Sequence, residues 1–241
     1  MVRDEVIYLA MCGRYHNRYG KQQIAEAFAA KSKATLEIYP SYNVAPQSFQ
    51  PVVYLNEEQE RELTVMRWGL VPFWSKDGKI GYSTINAKAE TLTTSGLYKE
   101  AFKKRRCLVP ASGFYEWMKT GEKTRQPYSL GIKGGSIFAF AGLWDRWKDE
   151  QTGATLETYT IITTDPNELV KSEKGPAIHD RMPAILAPGD YDRWLAPAEP
   201  WQLPIDLLRP FPAEKMEAHK VSPAVGNVKN NSPDLCEEVS S

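Results

Sequence analysis

Cys12 follows a methionine in the run Met11-Cys12-Gly13-Arg14, and that order decides what its thiol can do. A chain that begins at Met11 and loses it presents Cys12 with a free α-amine and a thiol on adjacent carbons. Such a pair traps aldehydes. The amine condenses to a Schiff base, and the thiol adds to it and closes a five-membered thiazolidine ring. The reference pKa of an α-amine is about 7.7–8.0, so a usable fraction is neutral near pH 7. The second attack is intramolecular and therefore fast. The same residue also reads as a small apolar side chain in a first strand.

Three further stretches carry reactive residue types. In Ile85-Asn86-Ala87-Lys88-Ala89-Glu90 the Asn86 amide can orient a backbone group or a nucleophile, and Lys88 can meet a phosphate. A turn Asn and a solvated Lys fit the pattern equally. In Gly113-Phe114-Tyr115-Glu116-Trp117, strand alternation sets Phe114 and Glu116 on one face and Tyr115 and Trp117 on the other. A carboxylate among aromatics is desolvated, which favours its protonated form and suits general acid–base work. At a sheet edge it would simply face water. His179-Asp180-Arg181-Met182-Pro183 holds one of only three histidines, with His16 and His219. Imidazole is the side chain best matched to proton transfer near neutral pH. Arg181 offers a bidentate fork for a phosphate. The plainer alternative is a His179 satisfied by a backbone carbonyl.

These residues need a scaffold, and the pattern of the chain suggests one. The helix expected over Lys21–Lys31 places Ile24 and Phe28 on one face. Pro51–Leu55 and Glu62–Trp68 read as strands about an acidic turn, and Leu97–Arg105 as a short helix ending in a basic cluster. Cys107–Val109, Gly113–Met118 and Tyr128–Ile132 are strand candidates. Ser136–Trp147 and Thr155–Thr164 form a long hairpin around Asp149–Gly153. Asp165-Pro166-Asn167-Glu168 carries a helix start with Asp165 as cap, running to about Lys174. Gly175 and Pro176 break it and leave Ile178–Arg181 in a loop. Tyr191–Leu195 reads as a further helical turn or two. Strands outnumber helices in irregular order. The expectation is an α+β fold, a single compact domain with a curved, barrel-like, largely antiparallel β core and peripheral helices. The domain is expected over residues 11–233, after an extension at 1–10 and before a frayed tail at 234–241.

The bulk numbers exclude classes rather than choose one. The chain has 241 residues, 42 % hydrophobic and 25 % charged, with zero formal net charge. Bulk charge neither indicates nor excludes a nucleic-acid partner, because binding needs only a local basic patch. Lys103-Lys104-Arg105-Arg106 reads as such a patch or as a solvated helix end. Trp68, Phe73 and Trp74 flank Pro72 where exposed rings can stack on bases. Three cysteines without a C-x-x-C pair argue against disulfides and zinc ribbons. No apolar run approaches the ~20 residues of a membrane span, and residues 1–10 lack a signal-peptide core. A cytoplasmic, monomeric protein is expected, nucleoid-associated if bacterial. Walker, dinucleotide, zincin and nucleophile-elbow motifs are absent. His16 and His219 have no second ligand at metal spacing, so no metal is expected.

Together the four reactive stretches resemble the SOS-response-associated peptidase (SRAP) family of abasic-site processing proteins. The resemblance runs from Met11 to about Asn231. Its markers occur in order: MCGR at Met11–Arg14, YNVAP at Tyr42–Pro46, WGL-P at Trp68–Pro72 and INAKAET at Ile85–Thr91. FYEW follows at Phe114–Trp117, then FAGLW at Phe140–Trp144, IHDRMP at Ile178–Pro183 and VSPAVGNVKNNSP at Val221–Pro233. The resemblance implies a barrel-like core with a positive groove for single-stranded DNA. It implies a thiazolidine crosslink between amino-terminal Cys12 and the ring-opened sugar of an abasic site, part of the DNA-damage response. It makes Cys12 the nucleophile and has Asn86 position its amine or the sugar-phosphate. Glu116 is then the acid–base group for ring opening, and His179 a proton shuttle that also assists reversal. Arg14, Lys88 and Arg181 would contact phosphates, and Trp74 and Pro46 would lie against neighbouring bases. No cofactor or metal is implied. The family often has Arg where Lys88 stands, and Lys lacks the bidentate fork. Cys12 must also become amino-terminal, by a start at Met11 or by cleavage of the Met11–Cys12 bond. Two rivals use the same residues: a thiol autopeptidase or amino-terminal-nucleophile hydrolase, and a single-strand binding module in which Cys12 is inert.

Overall fold

The computed structural model describes residues 12–171 and 177–239. The extension at 1–10, Met11, Lys174 and the Gly175-Pro176 break lie outside the described residues. In chain order the strands are β1 (Tyr15–Asn17), β2 (Lys31–Ser32), β3 (Ser41–Val44), β4 (Phe49–Leu55), β5 (Arg61–Trp68), β6 (Asn86–Lys88) and β7 (Arg106–Ala111). They continue as β8 (Gly113–Lys119), β9 (Arg125–Ile132), β10 (Phe138–Lys148), β11 (Thr155–Thr164), β12 (Met182–Pro183), β13 (Ile185–Leu186) and β14 (Met216–Lys220). The α-helices are short: α1 (Lys21–Ala27), α2 (Lys99–Lys104), α3 (Glu168–Lys171) and α4 (Tyr191–Leu195).

Two sheets carry the fold. In the larger one β11, β10, β7, β4 and β5 follow one another, and a parallel pairing of Arg67-Trp68 with Thr158-Tyr159 returns β5 to β11. The five strands thus close into a barrel, which removes unpaired edges. The smaller sheet runs β14-β9-β8-β1-β3. The α+β expectation holds, and the barrel-like core with it.

Alternation along the barrel strands explains their near-continuous apolar sequence. Val53, Leu108, Ala139, Ala141 and Leu143 pack with Ile24 of α1, Phe28 just after it, Phe102 of α2 and Trp194 of α4. The intervening Val52, Tyr54, Cys107, Val109, Phe138 and Phe140 pack with Tyr15, Phe114 and Leu130 of the smaller sheet. Both faces of each strand are therefore covered. Burial of a Leu, Phe or Val side chain contributes about 1.5–3 kcal/mol, so these two clusters hold the site's framework rigid.

Several elements depart from the sequence expectation. Helix α1 ends at Ala27, because Ala29 takes a positive φ of 47° and Lys31-Ser32 turns to pair with β5. The cap of α3 is Asn167, whose Oδ1 accepts from the Val170 N–H at 3.1 Å; Asp165 does not cap it. The expected frayed tail is packed: Leu235 and Cys236 are buried against Tyr115, Val221 and Val225. The basic run divides, since Arg106 is buried and donates to the carbonyls of Trp194 and Phe102. Arg105 pairs with Asp145 at 3.1 Å and Lys103 with Glu100 at 3.3 Å. Trp68 is fully buried and donates to the Ile85 carbonyl at 2.8 Å, so it offers no surface for a base.

Gly69 explains the WGL motif. Its φ is +121°, and an added Cβ would lie 2.5 Å from Gln47 Nε2 and collide with the Gly81 carbonyl oxygen. Gly69→Ala should therefore cost about 2–5 kcal/mol in strain and overpacking. Thermal unfolding followed by circular dichroism should show a midpoint lower by roughly 4–20 °C. An unchanged midpoint would mean that the turn has room to relax.

Candidate active site

Four chain segments meet at Cys12. The residue lies just before β1, which pairs with β8 through Tyr15–Phe114 and His16–Gly113. The same register carried back along β1 brings Gly13 level with Glu116. Gly113 permits this close approach, since a Cβ there would sit 2.5 Å from His16 Nε2. Asn86 heads β6, which is fixed by parallel pairing with Ile161 of β11. His179 sits in the loop between α3 and β12, held by the bond from the Ile178 N–H to the Val170 carbonyl at 2.9 Å.

The side chains converge. Cys12, Asn86 and Glu116 are all buried, at 3–4 % exposure. Asn86 Nδ2 donates to the Cys12 carbonyl at 3.1 Å, and Asn86 Oδ1 has no hydrogen-bond partner among the described residues. The Cys12 thiol donates to the Arg181 carbonyl at 3.6 Å and also contacts the Glu116 carboxyl. Glu116 Oε2 lies 3.8 Å from His179 Nε2, while its buried Oε1 has no hydrogen-bond partner among the described residues. His179 Nδ1 accepts from the Arg181 N–H at 3.1 Å and lies 3.1 Å from Asp180 Oδ1.

Burial sets the protonation states. Desolvation pushes the Glu116 carboxyl from 4.5 up to about 8, with the Asp180 charge adding to the rise and the Cys12 contact opposing it. Desolvation, then the negative field of Glu116, push the Cys12 thiol well up. At neutral pH the pocket therefore holds a protonated carboxyl beside a neutral thiol. That is a proton donor next to a nucleophile that needs its proton removed.

The outlying residues behave differently from one another. Arg14 is 3 % exposed, donates to Asn43 Oδ1 at 2.7 Å and to the Val225 carbonyl at 2.8 Å, and lies over the Trp117 ring. In this arrangement it anchors the first strand to the 221–227 turn. Arg181 is gripped by Glu90 at 2.7 Å, Asp165 at 3.1 Å and the Thr163 carbonyl at 2.8 Å. A phosphate would have to displace those acids. Lys88 is exposed, Trp74 is 52 % exposed beside Phe73 at 56 %, and Pro46 is half-buried. No hydrogen bond or ion pair ties Lys88, Trp74 or Pro46 to the cluster among the described residues.

Sequence reasoning passed over Glu90 and Asp180. Glu90 lies in the same short motif as Asn86, and its charge opposes that of Arg181, a signal that was available. Asp180 orients His179 from the adjacent position. The search for metal ligands followed His16 and His219, yet His16 bonds Ser129 and His219 the Cys236 carbonyl. The residues that do gather are Cys12, Glu116 and His179, whose ligand atoms all lie within 4.8 Å of one another.

The SOS response associated peptidase (SRAP) family profile matches residues 11–228. The chain belongs to the SRAP family. It is similar to abasic site processing protein YoqW of Bacillus subtilis, at 43 % identity over 94 % of this chain and 99 % of that one. It is also similar to abasic site processing protein HMCES of Xenopus tropicalis, at 36 % identity over 81 % of this chain and 65 % of that one. A crystal structure of a Bacteroides thetaiotaomicron protein superposes with a TM-score of 0.82 at 29 % identity, covering 95 % of this chain and 100 % of that one. The family match therefore takes in both sheets.

Proposed function

We propose that this protein processes abasic sites by crosslinking them covalently to Cys12 in single-stranded DNA. The observation that carries the reading is the convergence of a buried thiol, carboxyl and amide with a half-buried imidazole on the residue that follows Met11. The names of its SRAP relatives support the substrate class.

In this reading the chain acts with Cys12 at its amino terminus, after loss of the residues before it. Protonated Glu116 donates to the ring oxygen of the abasic sugar as the hemiacetal opens to the aldehyde. The Cys12 amine attacks the carbonyl carbon, and water leaves as the imine forms. The thiol then adds across the C=N bond, its proton passing to nitrogen, and the thiazolidine closes. Glu116 and His179 relay these protons between acceptor and donor. Asn86 holds the Cys12 carbonyl, and its unpartnered Oδ1 is an acceptor for the amine or a sugar hydroxyl. Lys88, with exposed Trp74 and Phe73, offers a phosphate contact and stacking surfaces. A missing base leaves room for the terminus to enter without flipping a nucleotide out.

The test uses three otherwise identical oligonucleotides: abasic, borohydride-reduced abasic, and undamaged. Only the abasic strand should give a heat-stable protein–DNA band on a denaturing gel. Equal bands with the reduced strand would remove the aldehyde from the mechanism and sink the proposal.

A further inference from the structure

We propose that Cys12, Glu116 and His179 also form a binding site for a zinc-class divalent cation, which masks the nucleophile while bound. The three donor atoms lie within 4.8 Å of one another, and Glu116 Oε2 is 3.8 Å from His179 Nε2. Bonds of about 2.0–2.3 Å in a tetrahedral centre set donors roughly 3.3–3.8 Å apart. Small side-chain rotations close that difference.

The surroundings suit a dication. Thiol and carboxyl together lose two protons on binding, and thiolate, carboxylate and neutral imidazole around a divalent ion sum to zero charge. A neutral assembly is what a buried pocket tolerates. Arg181 is the nearby cation, and Glu90 and Asp165 already hold its guanidinium. The buried Glu116 Oε1 has no partner of its own among the described residues. His179 is braced as metal-binding imidazoles are: Nδ1 lies 3.2 Å from the Arg181 carbonyl and 3.1 Å from Asp180 Oδ1. With the ring proton on Nδ1, either of these oxygens accepts it in place of the bond from the Arg181 N–H, and the Nε2 lone pair faces the cluster. A thiolate–imidazole–carboxylate set selects Zn²⁺ or Co²⁺ over Mg²⁺ or Ca²⁺. The fourth position is open to water. If Cys12 is amino-terminal, as the proposed function requires, its amine adds a five-membered chelate there. A cation so held occupies both nucleophiles and blocks aldehyde capture until it is removed.

The experiment titrates the full chain with Co²⁺ at pH 8 and follows the near-ultraviolet thiolate-to-cobalt absorption. The expected result is one Co²⁺ per chain, displaced by Zn²⁺. The band should be absent in Cys12→Ala, with binding at least ~10-fold weaker in His179→Gln. In parallel, Zn²⁺ should stop adduct formation on an abasic oligonucleotide, and a chelator should restore it. No thiolate band in the wild-type chain, or the same band in Cys12→Ala, overturns the site. Adduct formation without cobalt binding defeats this inference alone. Cobalt binding without any adduct, in protein with a verified amino-terminal Cys12, defeats the proposed function alone.

Discussion

Glu116→Gln should slow adduct formation by about 10²–10⁴-fold, the range expected when a positioned acid–base group is lost. Its pH profile should change as well. In the wild-type protein the reaction needs a neutral amine, favoured as pH rises through about 7.7–8.0. It also needs a protonated Glu116, which is lost above about 8. The two requirements give a bell, and the glutamine variant should lack the alkaline limb. Stability provides a second readout with a definite sign. Glu116 titrates at 4.5 when exposed and at about 8 when buried in the fold. Between those values the folded state holds a proton that the unfolded state has released, so stability falls as pH rises from 4.5 through 8. At about 1.4 kcal/mol per pKa unit the loss amounts to a few kcal/mol. Glu116→Gln removes it, so the variant should melt several degrees above wild type at pH 9 and close to it at pH 4. Identical pH dependence of the two melting temperatures would show that Glu116 is not desolvated.

Cys12→Ala should abolish the heat-stable adduct, because no thiol remains to close the ring. The variant keeps the α-amine once its first residues are removed. It should therefore still form an imine with the abasic aldehyde, trapped by borohydride and lost without it. Cys12→Ser should behave in the same way, since a hydroxyl adds to the imine more weakly than sulfur does. Loss of borohydride trapping together with the stable adduct would point to disturbed DNA binding. A stable adduct in Cys12→Ala would assign the chemistry to another residue.

The longer strands, β4, β5 and β7 to β11, were readable from sequence because their apolar patterns are long and their turns carry Gly, Pro and Asp, whereas short strands such as β2, β3, β6, β13 and β14 were not. Element ends were less readable. Ile24 and Phe28 are both buried as the periodicity suggests, with Phe28 at the cap just beyond α1, but nothing in the periodicity reveals that Lys31-Ser32 pairs with a distant strand. Asp165 and Asn167 are both capping residue types, and only the packed geometry chooses Asn167. The site was legible as four motifs of reactive residue types, and the fold brings Cys12, Asn86, Glu116 and His179 together. The charged residues around it were not legible in the same way. Arg14 and Arg181 match a phosphate-binding type, and in the fold they also bond Asn43 and the Val225 carbonyl, and Glu90 and Asp165, respectively. Residue type reports what a guanidinium can bind, whereas burial and neighbours decide what it does bind. The same limit hid the Cys12–Glu116–His179 ligand set, whose members are widely separated in the chain.

The measurement that bears most directly on the central claim is intact-mass spectrometry of the protein mixed with a single-stranded oligonucleotide carrying one abasic site, followed by peptide mapping. The prediction is a species equal to protein plus oligonucleotide less one water, with the DNA sugar on Cys12 at the amino terminus. No such species from protein with a verified amino-terminal Cys12, or an adduct mapped to a lysine, would contradict the account.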